Sequence, residues 1–300
     1  MIGKQKDGWG VSKLWLYRAD YLFPLLFLTL GWAVAFPAWA ETIETCSPNE
    51  KVNVGPYTVQ TDYWNQNKCP GVQCVNINDQ TGSFSVTGST AVCPDVSSYP
   101  SIVYGRAWSV TSRQFDLPAR ISSLRCVNSS WDFAPTYTGS WDAAYDLWVC
   151  PDDSCGNSGF NGGAEVMIWL DYLNAPGWKE DKGPVTLEGK TWEVWECDPS
   201  ITGAHWTYIA YLAKTMVRSA SNLDVNAFLK DCVARGYVKP SWYLCAVEAG
   251  NEMRDQGVPF TSNSFSVSVN QGCGAKPVYV PVTILAPTFS NKPNMTSISH

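Results

Sequence analysis

Histidine is scarce in this sequence, where His205 and His300 are the two histidines among 300 residues. A Ser-His-Asp hydrolase needs a histidine as its base, so that chemistry would depend on His205. Two stretches, Cys69–Cys74 and Cys150–Cys155, begin and end with cysteine. No histidine or second closely spaced cysteine pair accompanies them to complete the four ligands of a structural zinc site. The composition therefore disfavours a histidine-based hydrolase and a structural metal site.

Basic residues are also few. The chain has 21 Lys+Arg against 27 Asp+Glu, a formal net charge of −6. Residues 1–40 hold four of the basic residues and two of the acidic ones, which leaves 17 minus 25, or −8, for residues 41–300. An acidic domain without a basic cluster is a poor nucleic-acid binder, and an uncharged partner suits it better.

Long apolar runs are absent after the first forty residues. Within that leader, four basic residues precede the apolar run Tyr21–Phe36, and Ala38–Ala40 has the small-x-small form of a signal-peptidase site. The run is shorter than the roughly 20 residues of a spanning helix, and it contains Pro24. We therefore predict a signal peptide at residues 1–40, a secreted (extracellular or periplasmic) product, and no membrane association after cleavage.

Cysteines, in contrast, are numerous, and all eleven follow the predicted cleavage site. An exported protein meets an oxidising compartment, so disulfides are the expected state. Because eleven is odd, at least one thiol is free or pairs with another chain.

Most of residues 41–273 has the pattern of short strands separated by Gly, Pro, Asn, Asp and Ser turns, which is typical of a sandwich or barrel. The length fits a single all-β domain. The clearest strand is Ser264–Val269, in which serine alternates with apolar residues. The other predicted strands are Tyr57–Thr61, Glu165–Leu170, Thr191–Glu196, Thr207–Leu212 and Trp242–Val247.

One segment has a helical period instead. In Asp224–Tyr237 the apolar residues recur at i, i+3, i+4, i+7 and i+8, which predicts an amphipathic helix. Asn222 or Asp224 can cap its start, and Gly236 can end it. We expect one helix packed outside a β-sandwich. Residues 274–300 are expected to form a partly disordered C-terminal extension, in which Val278–Leu285 is a candidate edge strand.

Candidate functional residues first appear in the strand Glu165–Leu170. Successive side chains of a strand point to opposite faces, so the even-numbered residues give one wholly aliphatic face. The opposite face presents Glu165, Met167 and Trp169 in a row. An indole can stack on a pyranose ring while a carboxylate meets the anomeric carbon, so this face is typical of a sugar-cleaving groove.

Two further acids lie in comparable surroundings. Glu252 follows the strand Trp242–Val247 and is in phase with Leu244, Ala246 and Glu248, and Asp146 shares a strand face with Trp148. Two carboxyls suffice for glycoside hydrolysis, because one attacks the anomeric carbon and the other protonates the leaving oxygen. The spacing alone leaves open whether these are ordinary solvated acids.

These stretches resemble glycoside hydrolase family 12, which comprises small endoglucanases and xyloglucanases. The resemblance runs from about Cys46 to Asn270, with five motifs in the order of the family. They are Tyr57–Trp64 (YTVQTDYW), Ser98–Gly105 (SYPSIVYG), Tyr145–Trp148 (YDLW), Glu165–Trp169 (EVMIW) and Ala249–Glu252 (AGNE), the last followed by Phe265–Val269 (FSVSV).

The resemblance implies an all-β jelly roll of two antiparallel sheets, one packed helix and a concave substrate cleft. It implies that Glu165 is the nucleophile, Glu252 the acid/base and Asp146 an auxiliary acid that tunes the nucleophile. It also implies that sugar contacts come from the substrate-binding residues Trp64, Met167, Trp169, Asp62 and Trp148. A disulfide of the family would fall at Cys46–Cys74, and Cys150–Cys155 would close a short loop.

The expected activity is that of a secreted, retaining endo-β-1,4-glucanase acting by double displacement on cellulose-like, mixed-linkage or xyloglucan polymers. It should act as a monomer without cofactor or metal, and with a bell-shaped pH profile that has an acidic optimum. The chain departs from the family on either side of Glu252, where Asn251 and Arg254 replace aromatic residues. This departure keeps open the alternative of a non-catalytic glycan-binding jelly roll. A family 11 xylanase is a weaker alternative, disfavoured by Glu165–Trp169.

Overall fold

The computed structural model describes residues 41–89, 93, 96–114, 116–156, 160–175, 180–197 and 205–282. The predicted signal peptide at residues 1–40 and the end of the predicted extension, residues 283–300, lie outside the described residues.

Eighteen strands account for most of the described chain. They are β1 (Thr42–Thr45), β2 (Lys51–Val54), β3 (Tyr57–Gln60), β4 (Val72–Asn78), β5 (Phe84–Ser89), β6 (Ser101–Ala107), β7 (Val110–Thr111), β8 (Ala119–Arg120), β9 (Val127–Ala134), β10 (Gly139–Cys150), β11 (Ala164–Leu173), β12 (Glu180–Leu187), β13 (Lys190–Cys197), β14 (Thr207–Ala213), β15 (Val217–Asp224), β16 (Tyr243–Gln256), β17 (Phe260–Val269) and β18 (Val278–Pro281).

The strands form two sheets, as the turn-rich pattern predicts. One has seven strands in the order β1-β4-β5-β17-β9-β15-β18. The other has eleven, with the path β12-β13-β14-β11-β10-β16-β6-β3-β2 and with β7 and β8 pairing beside it. All six strands predicted from the sequence are present, with β16 much longer than the predicted segment. The all-β sandwich is therefore confirmed.

The core lies between the two sheets. Along β11 the even-numbered side chains Val166, Ile168 and Leu170 are fully buried in it, as their alternation predicts. Large aromatics fill the space opposite them, including Trp131 and Tyr145, whose rings meet edge to face at 5.4 Å. Bulky residues of this kind supply most of the apolar area that stabilises a large sandwich. Because this face of β11 is used for packing, its other face is available for a site.

The predicted helix is present as α1 (Asn226–Arg235). Asp224 accepts a hydrogen bond from the backbone of Asn226, and Gly236 ends the helix in the left-handed conformation, with φ of 84°. A residue with a β-carbon is disfavoured at such a φ, so the glycine fits the predicted end. Phe228 faces the core, where its ring packs edge-on against Trp192 at 5.0 Å.

Four disulfides connect the described part of the chain: Cys46–Cys74, Cys69–Cys93, Cys126–Cys273 and Cys155–Cys245. The first is the bridge that the family resemblance implies. The predicted Cys150–Cys155 bridge is wrong, because Cys155 pairs with Cys245 of β16 and Cys150 remains a buried thiol. Cys150 ends strand β10, which is paired with β16, so folding brings a more distant cysteine to Cys155.

The first residues of the predicted C-terminal extension belong to the seven-stranded sheet. β18 pairs antiparallel with β15, matching Val278 with Ser221 and Val280 with Ser219. The candidate edge strand is thus present over Val278–Pro281. Among the described residues, no helix has the length and apolar character needed to cross a membrane.

Candidate active site

A cavity of about 640 Å³ opens on the face of the eleven-stranded sheet that is turned away from the core. Strands β3, β10, β11, β14 and β16 all contribute to its wall. The lining includes six acids, two bases and four indoles: Glu50, Asp62, Asp146, Glu165, Glu248, Glu252, Lys51, Arg254, Trp64, Trp108, Trp148 and Trp206.

Strand order explains how distant acids reach one cavity. β10 lies between β11 and β16, and its Trp148 is paired with Glu165 of β11. On its other side, Asp142 is paired with Glu252 of β16, and Asp146 with Glu248. Residues two apart on a strand share a face, so these side chains point the same way. The structure thus brings Glu165, Glu252 and Asp146 together.

Glu165 is enclosed between an indole and another carboxyl. The Nε1–H of Trp206 donates a hydrogen bond to its Oε2 at 2.6 Å. Burial, with the charge of Glu252 as a second cause, raises the pKa of Glu165 to about 8, and the Trp206 hydrogen bond acts in the opposite direction. The charge of Glu252 therefore acts on Glu165, which shows that the two carboxyls lie near each other in the cavity.

Glu252 is held by a buried arginine. Arg254 donates from Nη2 to Glu252 Oε2 at 2.9 Å and from Nη1 to Asp142 Oδ2 at 2.8 Å. Asp142 has no exposed surface. Burial raises its pKa well above that of an ordinary aspartate, with the charge of Glu252 as a further cause, while Arg254 acts in the opposite direction.

Asp146 lies at the centre of the acids and has 4% of its surface exposed. Among the described residues, its Oδ1 has no hydrogen-bond partner. Burial raises its pKa well above the usual range, and the charge of Glu165 adds to this effect. A neutral carboxyl can donate a hydrogen bond, which an ionised one cannot. This placement suits the auxiliary role that the resemblance implies.

Glu248 and Asp62 form a second acidic pair in the same cavity. Glu248 accepts hydrogen bonds from Gln60 at 3.1 Å and Ser101 at 3.2 Å, and burial followed by the charge of Asp62 raises its pKa to about 8. Burial raises the pKa of Asp62 to about 7. Sequence reasoning did not propose Glu248 for the site, although its period-2 relation to Glu252 was a usable signal.

Aromatic side chains form the part of the wall that can contact a sugar ring. Trp64 and Trp108 are 47% and 43% exposed, so their faces are accessible. Trp108 meets Trp148 edge to face at 5.2 Å and Trp206 at 5.4 Å, which fixes it beside Glu165. Sequence reasoning missed Trp108 and Trp206, because both lie in loops without strand periodicity.

Two residues predicted to contact substrate do not line the cavity. Met167 and Trp169 point to the same side of β11 as Glu165 but are 1% and 2% exposed. The Trp169 ring packs edge-on against Trp195 at 6.1 Å and lies 5.7 Å below the Arg254 guanidinium. Little of either side chain is exposed to meet a sugar, because alternation gives the face of a side chain but not the groups that cover it. Direct sugar contact by these two residues stays a prediction.

The Trp206 hydrogen bond to Glu165 has a testable consequence. In Trp206→Phe, loss of this bond raises the pKa of Glu165, so less of the carboxylate is present at a given pH. We expect kcat to fall about 10-fold, because a hydrogen bond to a charged group contributes about 1.5–3 kcal/mol. The acid limb of the pH–rate profile should move to higher pH. Trp242→Phe, distant from the cavity, is the matched control, and an unchanged acid limb would refute this role.

Burial of Glu248 should weaken the fold at high pH. Its pKa is about 8 in the folded protein against 4.5 for an ordinary glutamate, so the folded state binds an extra proton between these values. The free energy of unfolding therefore falls as pH rises through this window. Glu248→Gln should raise Tm more at pH 9 than at pH 5, by roughly 2–4 °C for each kcal/mol relieved. Thermal unfolding at both pH values tests this, with exposed Glu44→Gln as control. An equal change at both would refute it.

Metal binding has no support in the described ranges, where no three His, Cys, Asp or Glu side chains are grouped to hold an ion. The acids instead hydrogen-bond to side chains such as Gln60, Ser101, Trp206 and Arg254.

Comparison with known proteins places this fold and site among the glycoside hydrolases. The chain belongs to glycosyl hydrolase family 12, whose sequence model matches residues 55–270.

Solved structures and curated relatives agree with this assignment. Endoglucanase cel12A from Rhodothermus marinus is 38% identical with a TM-score of 0.68, covering 76% of this chain and 98% of its own. A metagenome-derived family 12 endoglucanase is 36% identical with a TM-score of 0.71, covering 77% and 98%. Probable cellulase Cel12b of Mycobacterium tuberculosis is 31% identical over 161 residues, which are 52% of this chain and 98% of the relative. The jelly-roll architecture and the glycoside hydrolase class are thereby confirmed.

Proposed function

We propose that this protein is a retaining endo-β-1,4-glucanase in which Glu165 is the nucleophile and Glu252 the acid/base. The observation that carries the proposal is the meeting of both carboxyls in one cavity, where the charge of one raises the pKa of the other. Glycoside hydrolysis with retention needs two carboxyls in one cavity, one as ionised nucleophile and one as protonated acid.

The first step forms a covalent intermediate. The Glu165 carboxylate attacks the anomeric carbon while Glu252 gives its proton to the departing glycosidic oxygen, which leaves a glycosyl ester on Glu165. In the second step Glu252 takes a proton from water, the water oxygen attacks the anomeric carbon, and Glu165 leaves as carboxylate. Trp206 hydrogen-bonds Glu165 and so favours its ionised form at the start of each cycle.

A neutral glucan suits the rest of the cavity. Trp64 and Trp108 offer exposed indole faces for stacking on pyranose rings. Six acids against two bases in the lining disfavour polymers that carry carboxylates. The relatives named endoglucanase and cellulase support cellulose-like and mixed-linkage β-glucans, and a relative from Aspergillus clavatus, 24% identical, is named a probable xyloglucan-specific endo-β-1,4-glucanase.

We further propose that the protein is secreted after cleavage at Ala40, acts as a monomer, and consists of one hydrolase domain at residues 41–273 followed by an extension. The four disulfides support an oxidising destination.

The pH dependence of the activity follows from the two roles of the carboxyls. One must be ionised to attack and the other protonated to give its proton to the leaving oxygen. We therefore expect a bell-shaped pH–rate profile. Rates between pH 4 and 9 test this, and a flat profile would contradict a paired-acid mechanism.

A substrate screen tests the proposed function. Purified protein should release reducing ends from hydroxyethylcellulose, lichenan or xyloglucan, with less or none from xylan, and chelators should leave the rates unchanged. The alternative is a non-catalytic glycan-binding jelly roll, motivated by Asn251 and Arg254. It predicts that the wild-type protein binds a β-glucan but releases nothing from any of them.

A further inference from the structure

Arg254 is an unusual residue to find next to a catalytic carboxyl. It lines the cavity, yet 3% of its surface is exposed, and its two terminal nitrogens contact carboxyls from two different strands. The family resemblance implies an aromatic residue at this position, so the arginine departs from the usual pattern of the family.

Arg254 shares the cavity face with Glu252. The two residues are two apart on β16, so their side chains point the same way, while Met253 between them enters the core. Arg254 is also the residue skipped in the pairing of β10 with β16, since Ser140 is opposite Asp255 and Trp141 is opposite Met253. Such an irregularity is a β-bulge, which locally interrupts the pairing of the two strands.

The contacts of Arg254 make the two carboxyl oxygens of Glu252 different from each other. Oε2 accepts the hydrogen bond from Nη2, so it is turned toward the arginine and Asp142. Trp169 lies under the guanidinium and limits its movement. Within the described ranges, Arg254 makes no hydrogen bond to the other oxygen, Oε1, so the guanidinium fixes one side of the carboxyl only.

We propose that Arg254 is a positioning residue for hydrolysis: its guanidinium holds Oε2 of Glu252 so that Oε1 faces the scissile bond, and its charge sets the upper pH limit of activity. This inference rests on the proposed function. It deepens that proposal by adding a residue that orients the acid/base without touching the substrate.

The charges around Arg254 give the direction of the effect. The titratable groups that face it or Glu252 are Asp142 and Asp146 from β10, Glu165 from β11, Tyr208 from β14, and Tyr99 from the segment before β6. Arg254 is the one cation among them in the described chain. Removing a cation from a carboxyl cluster makes its protons harder to lose, so the cluster keeps its last proton to higher pH.

The experiment compares pH–rate profiles of kcat and KM on a soluble mixed-linkage β-glucan for wild type, Arg254→Met and Arg254→Lys. In Arg254→Met the alkaline limb should move up by about one pH unit or more. Its kcat at the optimum should fall about 10-fold, with little change in KM, since the residue does not touch the substrate. Arg254→Lys keeps the charge but not the two-pronged contact. In Arg254→Lys the alkaline limb of the pH–rate profile should stay near its wild-type position while kcat falls.

Asp142→Asn provides a second test that does not depend on folding of the Arg254 variants. It removes one of the two carboxyls that share Arg254, so that the guanidinium charge acts on Glu252 alone, and it should move the alkaline limb down. Arg120→Met, an exposed arginine on β8, is the matched control. If the wild type is active and Arg254→Met has the same kcat and the same alkaline limb as the wild type, the inference is overturned. An alkaline limb that does not move in Asp142→Asn also overturns it. A wild type that cleaves no β-glucan overturns the proposed function instead.

Discussion

Glu165→Gln should lower hydrolysis of β-glucan by at least about 10³-fold while the protein still binds the polymer. Glutamine has nearly the shape of glutamate and can still accept a hydrogen bond from Trp206, so the cavity should keep its form. An amide is not a nucleophile toward the anomeric carbon, so no glycosyl ester forms. The loss should be the same for natural and chemically activated substrates, because both need the nucleophile.

Reducing-sugar release and polymer affinity, measured side by side, check this result. Exposed Glu44→Gln on β1, which lies at the edge of the other sheet, is the matched control and should keep full activity. A Glu165→Gln variant with more than a few per cent of wild-type activity would assign the nucleophile to another residue.

Glu252→Gln should show a different pattern. On polymeric glucan we expect a loss of about 10²–10⁴-fold, the usual contribution of a positioned general acid. A leaving group that departs without protonation, such as dinitrophenolate, removes the need for that acid in the first step. Formation of the ester on Glu165 should therefore stay near the wild-type rate with a dinitrophenyl cellobioside.

A burst experiment on the activated substrate separates the two glutamates. Glu252→Gln should release a rapid stoichiometric burst of dinitrophenol followed by slow turnover, because water now lacks a base for the second step. Glu165→Gln should give no burst. Equal losses on polymer and activated substrate in Glu252→Gln would assign the acid to another group, with Glu248 the nearest alternative in the cavity.

Much of the fold follows from local patterns in the sequence. Alternation in Glu165–Leu170 predicts a strand with an aliphatic core face, and Val166, Ile168 and Leu170 are in fact fully buried. The i, i+3, i+4 pattern and Gly236 predict the helix and its end. These features depend on neighbours in sequence, which is why one chain is enough to find them.

The lining of the cavity depends on contacts that local periodicity does not encode. Leu244 faces the core, away from Glu248, because an irregularity in the β10–β16 pairing shifts the phase on which alternation arguments rely. Arg254 lies on the face of Glu252, but its contact with Asp142 joins two strands and is not visible in the period of one strand. Trp206 donates its hydrogen bond to Glu165 although the two residues are 41 positions apart in the sequence.

The central claim is that Glu165 becomes the site of a covalent glycosyl ester. Incubation with a 2-deoxy-2-fluoro-cellobioside that carries a good leaving group slows the second step and lets this ester accumulate, so that mass spectrometry of the proteolysed protein can locate it. We predict one added fluorocellobiosyl group, on the peptide that contains Glu165. An ester on Asp62, Asp146, Glu248 or Glu252, or the absence of any ester in a protein that hydrolyses β-glucan, would contradict the proposed mechanism.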